Sequence, residues 1–108
     1  MLSELPRNFF EYNHIMKRLN LANNQLRSLN PEVFETMKQI EEIDLSGNRL
    51  KTFNKRILKN AQKLRVLNLS NNQIGPSIQK WVFHRLPALL DLDLRLEAPK
   101  HYKYQPLF

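Results

Sequence analysis

Asp91 and Asp93 stand two residues apart, so an extended backbone would set both carboxylates on one face. Such a pair has the chemistry to move a proton or to hold a cation. The rest of the chain does not support either use. Asp44, the next acid in the same frame, lies two units away in the pattern described below, too sparse for a metal cage. His14, His84 and His101 are isolated from one another, with no ligand spacing of the H-x-x-x-H kind. There is no cysteine and hence no thiol nucleophile, and no serine sits in a G-x-S-x-G elbow. The two glycines, Gly47 and Gly75, cannot build a phosphate-cradling loop. The sequence therefore predicts no catalytic residue, no cofactor, no metal site and no small-molecule substrate.

The polar residues with regular spacing are asparagines. Asn24, Asn48 and Asn72 are 24 residues apart, each in one frame of apolar side chains. The first copy is Met16, Leu19, Leu21, Asn24, Leu26 and Leu29; the second is Ile40, Ile43, Leu45, Asn48, Leu50 and Phe53. The third is Leu64, Leu67, Leu69, Asn72, Ile74 and Ile78. A fourth starts at Leu89, Leu92 and Leu94 and then meets Glu97 in the asparagine position. The third copy is one residue longer, and the extra residue falls in Gly75-Pro76-Ser77, where turn chemistry tolerates it. A fixed period in this range marks a solenoid built from one repeated unit.

Within each unit, the alternation at Leu19-Asn20-Leu21, Ile43-Asp44-Leu45, Leu67-Asn68-Leu69 and Leu92-Asp93-Leu94 is that of a short strand. Strands one unit apart, joined by long return segments, must pair in parallel. The return segments carry a second apolar spine, Phe10, Phe34, Leu58 and Phe83. Sets such as Val33-Phe34-Met37 and Ile57-Leu58-Ala61 allow a short helical turn there. Each asparagine has two amide donors and one carbonyl acceptor on a short stem, enough to satisfy a buried bend. Trp81 falls on a return segment, as packing or outer surface.

The pattern L-x-x-L-x-L-x-x-N-x-L resembles the leucine-rich repeat family. Leu29-Asn30-Pro31-Glu32-Val33-Phe34 and Leu5-Pro6-Arg7-Asn8-Phe9-Phe10 resemble the L-P-x-x-x-F segment of its 24-residue typical class. The resemblance implies an α/β fold: a right-handed solenoid with a curved parallel sheet on its concave face and short helical or irregular segments on its convex face. It places a partial repeat at 1–15, repeats at 16–39, 40–63 and 64–88, a degenerate repeat at 89–97 and a basic, aromatic tail at 98–108. It also assigns Asn24, Asn48 and Asn72 to a structural ladder under the bends. The implied role is non-catalytic recognition of a protein ligand or co-receptor, as part of an extracellular or cell-surface receptor, adhesion or matrix protein.

The concave sheet would present two columns to a partner: Arg18, Glu42, Val66 and Asp91, and Asn20, Asp44, Asn68 and Asp93. Asn68-Leu69-Ser70 also matches the N-glycosylation sequon. Net charge is +7, and Arg49, Lys51, Lys55, Arg56, Lys59, Lys63 and Arg65 crowd into one stretch. This suggests a basic convex patch for a polyanion, with solvated surface as the plainer alternative. Nucleic-acid binding ranks below both, because stacking aromatics are not interleaved with those cations.

The frame runs back to Leu2, Leu5 and Phe10, so the chain opens in the second half of a unit. That favours an internal piece of a longer protein over a short protein with an open end. The first reading puts it outside the cell or at its surface; the second, an intracellular scaffold or regulatory subunit, puts it in the cytoplasm. The lack of cysteine suits a reducing compartment and equally a stretch between the cysteine-bearing caps of a longer protein. No stretch approaches the roughly 20 apolar residues that span a bilayer, so no membrane insertion is expected.

Overall fold

The computed structural model describes residues 1–54, 56–74 and 86–94. Four short strands, β1 (Arg18–Asn20), β2 (Glu42–Asp44), β3 (Val66–Asn68) and β4 (Asp91–Asp93), form one sheet in chain order. Every pairing is parallel. Leu19, Ile43, Leu67 and Leu92 lie side by side, so the shift of one residue before β4 leaves the register intact. The segment expected to absorb that residue, Gly75-Pro76-Ser77, lies outside the described residues, as do Lys55, Ile78, Trp81, Phe83, Glu97 and the 98–108 tail.

Backbone pairing between repeats runs on past the strands, with Leu21 donating to Asp44 and Leu45 to Asn68, and the chain turns three residues after each of β1, β2 and β3 at a residue with positive φ. Asn23, Gly47 and Asn71 take φ of 58°, 68° and 54°. Asparagine tolerates this left-handed region better than most side chains, and glycine does so without strain. A Cβ on Gly47 would also collide with the Asn23 side chain. Beyond the bend, pairing resumes one step at a time: the amides of Gln25, Arg49 and Gln73 donate to the carbonyls of Leu2, Leu26 and Leu50 at 2.7–2.8 Å.

One core runs through all the described repeats. Leu26, Met37, Ile40, Leu45, Leu50 and Leu64 have no exposed surface. The second spine is buried as well at Phe10, Phe34 and Leu58, and the Phe10 and Phe34 rings stack obliquely with centroids 5.8 Å apart. Each unit thus buries its apolar face only against its neighbours. The return segments are built from single turns rather than helices among the described residues. Val33 donates to Asn30, Met37 to Phe34, Ile57 to Asn54 and Ala61 to Leu58, each closing an i to i+3 turn. Asn30 and Asn54 open two of these segments by accepting, through their side-chain oxygens, the amides of Glu32 and Arg56. Those local bonds hold the backbone in turns where a helix would need an uninterrupted i to i+4 ladder.

At the edges the packing thins. Leu19 of β1 is half-buried, and Phe9, Tyr12 and Ile15 are exposed. Leu94, in the frame of Leu21, Leu45 and Leu69, is partly exposed at 37% where those three are buried.

Candidate functional site

Two rows of polar side chains flank the apolar positions of the strands. The inner row is the asparagine ladder. Asn48 donates from Nδ2 to the carbonyls of Leu45 (2.9 Å) in its own unit and Leu21 (3.0 Å) in the preceding one. Its Oδ1 accepts the amide of Leu26 at 3.1 Å. Asn72 repeats the arrangement with Leu69, Leu45 and Leu50 at 3.1, 2.9 and 3.0 Å. Both are buried, so each joins two repeats through bonds that water cannot replace. Asn24 accepts from Leu2 and donates to Leu21 and Ala22 within its own unit, and it is only half-buried.

The outer row is Asn20, Asp44 and Asn68, aligned across β1, β2 and β3. Each accepts, through Oδ1, the amide two residues on, at 2.9 Å in every case: Ala22, Ser46 and Ser70. At Asp44 and Asn68 the same oxygen also accepts the serine hydroxyl, at 2.6 and 2.7 Å. These residues thus turn the chain at the end of each strand as well as facing the concave surface. The sequence signal was present as Asp-Leu-Ser and Asn-Leu-Ser, the spacing of an Asx turn. Asp93 completes the row in register but is buried at 2%, so its carboxylate is withdrawn from the surface. Asn68, the sequon residue, is half-buried, and its Oδ1 is engaged with Ser70.

The neighbouring row is Arg18, Glu42, Val66 and Asp91. Arg18 Nε donates to Glu42 Oε2 at 2.8 Å. The pair is exposed and adds little stability, but it fixes two charged side chains side by side. Ahead of the strands, Arg65 and Glu41 form a looser pair at 3.7 Å. The concave surface therefore offers Val66 at its middle, acids at Glu42, Asp44 and Asp91, and cations toward the strand starts at Lys17, Arg18 and Arg65.

The basic stretch read as one convex patch does not stay together. Arg49 and Lys51 follow β2, and Lys63 and Arg65 precede β3, so the parallel sheet sends them to opposite ends of the strands. Lys63 donates to Gln39 and Arg65 faces Glu41, while Arg56 and Lys59 belong to the turns of the return segment. Arg49 and Lys51 instead join Arg27, a residue outside that stretch, around a hollow of about 490 Å³ that Gln73 completes. Among the described residues, no cluster of histidine, aspartate and glutamate could hold a metal ion, and no helix is long and apolar enough to cross a membrane.

This geometry of parallel strands, left-handed bends and buried asparagine rungs has a counterpart in known proteins. The sequence matches the leucine rich repeat family over residues 2–50 and 38–96. The chain belongs to the leucine-rich repeat family. Among solved structures, it is similar to a Toll chain in the glycosylated form of the Toll–Spatzle complex of Drosophila, with a TM-score of 0.79 and 26% identity over 87% of this chain. A second structure of the Toll–Spatzle complex aligns at 20% identity over 88% of this chain, with a TM-score of 0.44. This leucine-rich repeat chain spans 14% and 19% of the two chains it resembles. No curated protein matches it.

Proposed function

We propose that this leucine-rich repeat segment is a non-catalytic recognition module whose concave sheet binds a protein ligand or co-receptor, within a receptor-like protein outside the cell or at its surface. The observation that carries the reading is the register: it sets Arg18, Glu42, Val66 and Asp91 beside Asn20, Asp44 and Asn68 as a fixed array. The row at Asn20, Asp44 and Asn68 is locked by its own bends, so it loses little conformational freedom when a partner docks. A protein with an apolar contact for Val66 and cationic groups for Glu42 and Asp44 fits this surface. The likeness to a chain of the Toll–Spatzle complex supports a protein ligand and a surface location. The repeat boundaries at 16–39, 40–63 and 64–88, with 89–97 as a degenerate unit, belong to the same proposal.

A photo-reactive amino acid at Val66 tests it. The expected result on cells is a discrete protein adduct from position 66 that position 56, on the return segment, does not give. Equal adducts at both positions, or none at 66, would contradict the concave assignment.

A further inference from the structure

The basic flank next to the bends has no role in the concave reading, yet the repeat brings its cations together. Arg27 and Lys51 are aligned one repeat apart, with Ser3 in the same column, and Gln25, Arg49 and Gln73 form the column beside them. The amides of Gln25, Arg49 and Gln73 pair with the carbonyls of Leu2, Leu26 and Leu50, which holds the second column at sheet spacing. Two hollows meet here and share Arg27 and Arg49. One, of about 490 Å³, includes Lys51 and Gln73. The other, of about 720 Å³, runs toward Ser3, Gln25 and Asn30, with Glu4 as its one acid. Among the described residues, the ion pairs are Arg7–Glu32, Arg18–Glu42 and Arg65–Glu41, so Arg27, Arg49 and Lys51 are not neutralised by a carboxylate.

We propose that this flank binds a linear sulfated polysaccharide along the stacking direction of the repeats, through Arg27, Arg49 and Lys51. Arg27 and Lys51 one repeat apart, with Arg49 in the column beside them, give cations that succeed one another along the stacking direction, which suits a polymer whose anionic groups also recur along a line. Arginine forks bind sulfate oxygens in pairs, and the serine, asparagine and glutamine side chains between them suit sugar hydroxyls. The lining holds no aromatic ring, and stacking rings are what a single-stranded nucleic acid would need. The site lies beyond the C-terminal ends of the strands, opposite Lys63 and Arg65, and it does not depend on the concave surface or its partner.

The test is binding of a heparin hexasaccharide to the chain, with the triple variant Arg27→Gln/Arg49→Gln/Lys51→Gln compared against a control, Arg56→Gln/Lys59→Gln/Lys63→Gln, that removes the same charge elsewhere. The flank variant is expected to weaken binding by about tenfold or more, and the control by less than about threefold. Binding should fall as salt rises, and a single-stranded oligonucleotide of equal charge should bind about tenfold more weakly. Absence of binding, equal loss in both variants, or an oligonucleotide as tight as the hexasaccharide would each overturn the proposal. Equal melting midpoints for the three proteins ensure that lost binding is not lost folding.

Discussion

The inner row of asparagines and the outer row of Asn20, Asp44 and Asn68 use side chains of one shape, four residues apart, for different ends. At Asn48 and Asn72 the amide reaches into the preceding repeat, so removing it takes hydrogen bonds from two units at once. At Asn20, Asp44 and Asn68 the oxygen serves only the bend that follows it. The inner row carries stability between repeats, and the outer row carries local shape plus whatever charge faces a partner. Asn24 is an intermediate case, since its Nδ2 bonds stay within one unit.

The largest effect should come from the inner row. Asn48→Leu strands the Leu26 amide in the core and takes one of two donors from each of the Leu21 and Leu45 carbonyls, which keep Asn24 and Asn72, and is expected to cost about 2–4 kcal/mol, read as the denaturant midpoint. Asn24→Leu, at a half-buried rung, should cost about 1–2 kcal/mol. Equal losses at the two positions would break the contrast between a buried rung and a half-buried one.

The bend residue sharpens the comparison next. Gly47→Ala is expected to lose about 1–2 kcal/mol, because φ is 68° and the new methyl meets the Asn23 side chain. Gly47→Asn keeps a residue type that Asn23 and Asn71 show at the same φ, so it should lose less than Gly47→Ala despite its size. The reverse order in thermal melting would mean that crowding by Asn23, not backbone conformation, decides what this bend accepts.

The smallest effects belong to the outer row. Asp44→Ala removes the acceptor for Ser46 and should cost about 1 kcal/mol. Asp44→Asn retains that acceptor, as Asn20 and Asn68 do, and should stay within about 0.5 kcal/mol of the parent. A large loss on Asp44→Asn would mean that the charge itself, not the bend, holds this position.

Much of the fold was legible because it depends on periodicity. The frame gives the strand columns, including the step of 25 residues from Val66 to Asp91. The buried spine at Phe10, Phe34 and Leu58 follows from the same frame. What the frame hides is how each polar atom is used. A column of Asn20, Asp44 and Asn68 looks outward, and only the spacing to Ala22, Ser46 and Ser70 reveals the bend it closes. Asp93 matches that column in pattern but is buried, a difference that the register does not carry. The basic flank escapes a reading by sequence proximity, because Arg27 lies 24 residues from Lys51 and the fold makes them neighbours. Sorting cations by repeat column rather than by run would have found it.

The most direct measurement of the division between the two rows is photo-crosslinking from position 66 in the parent and in Glu42→Gln/Asp44→Asn, with melting followed in parallel. The two charges are removed while the Asp44 bend keeps its acceptor and only an exposed ion pair is lost. An unchanged melting midpoint with a protein adduct reduced about tenfold or more is the predicted result. An adduct of undiminished yield would contradict recognition through the concave charges, and a collapse of the midpoint would show that the outer row is structural in the way the inner one is.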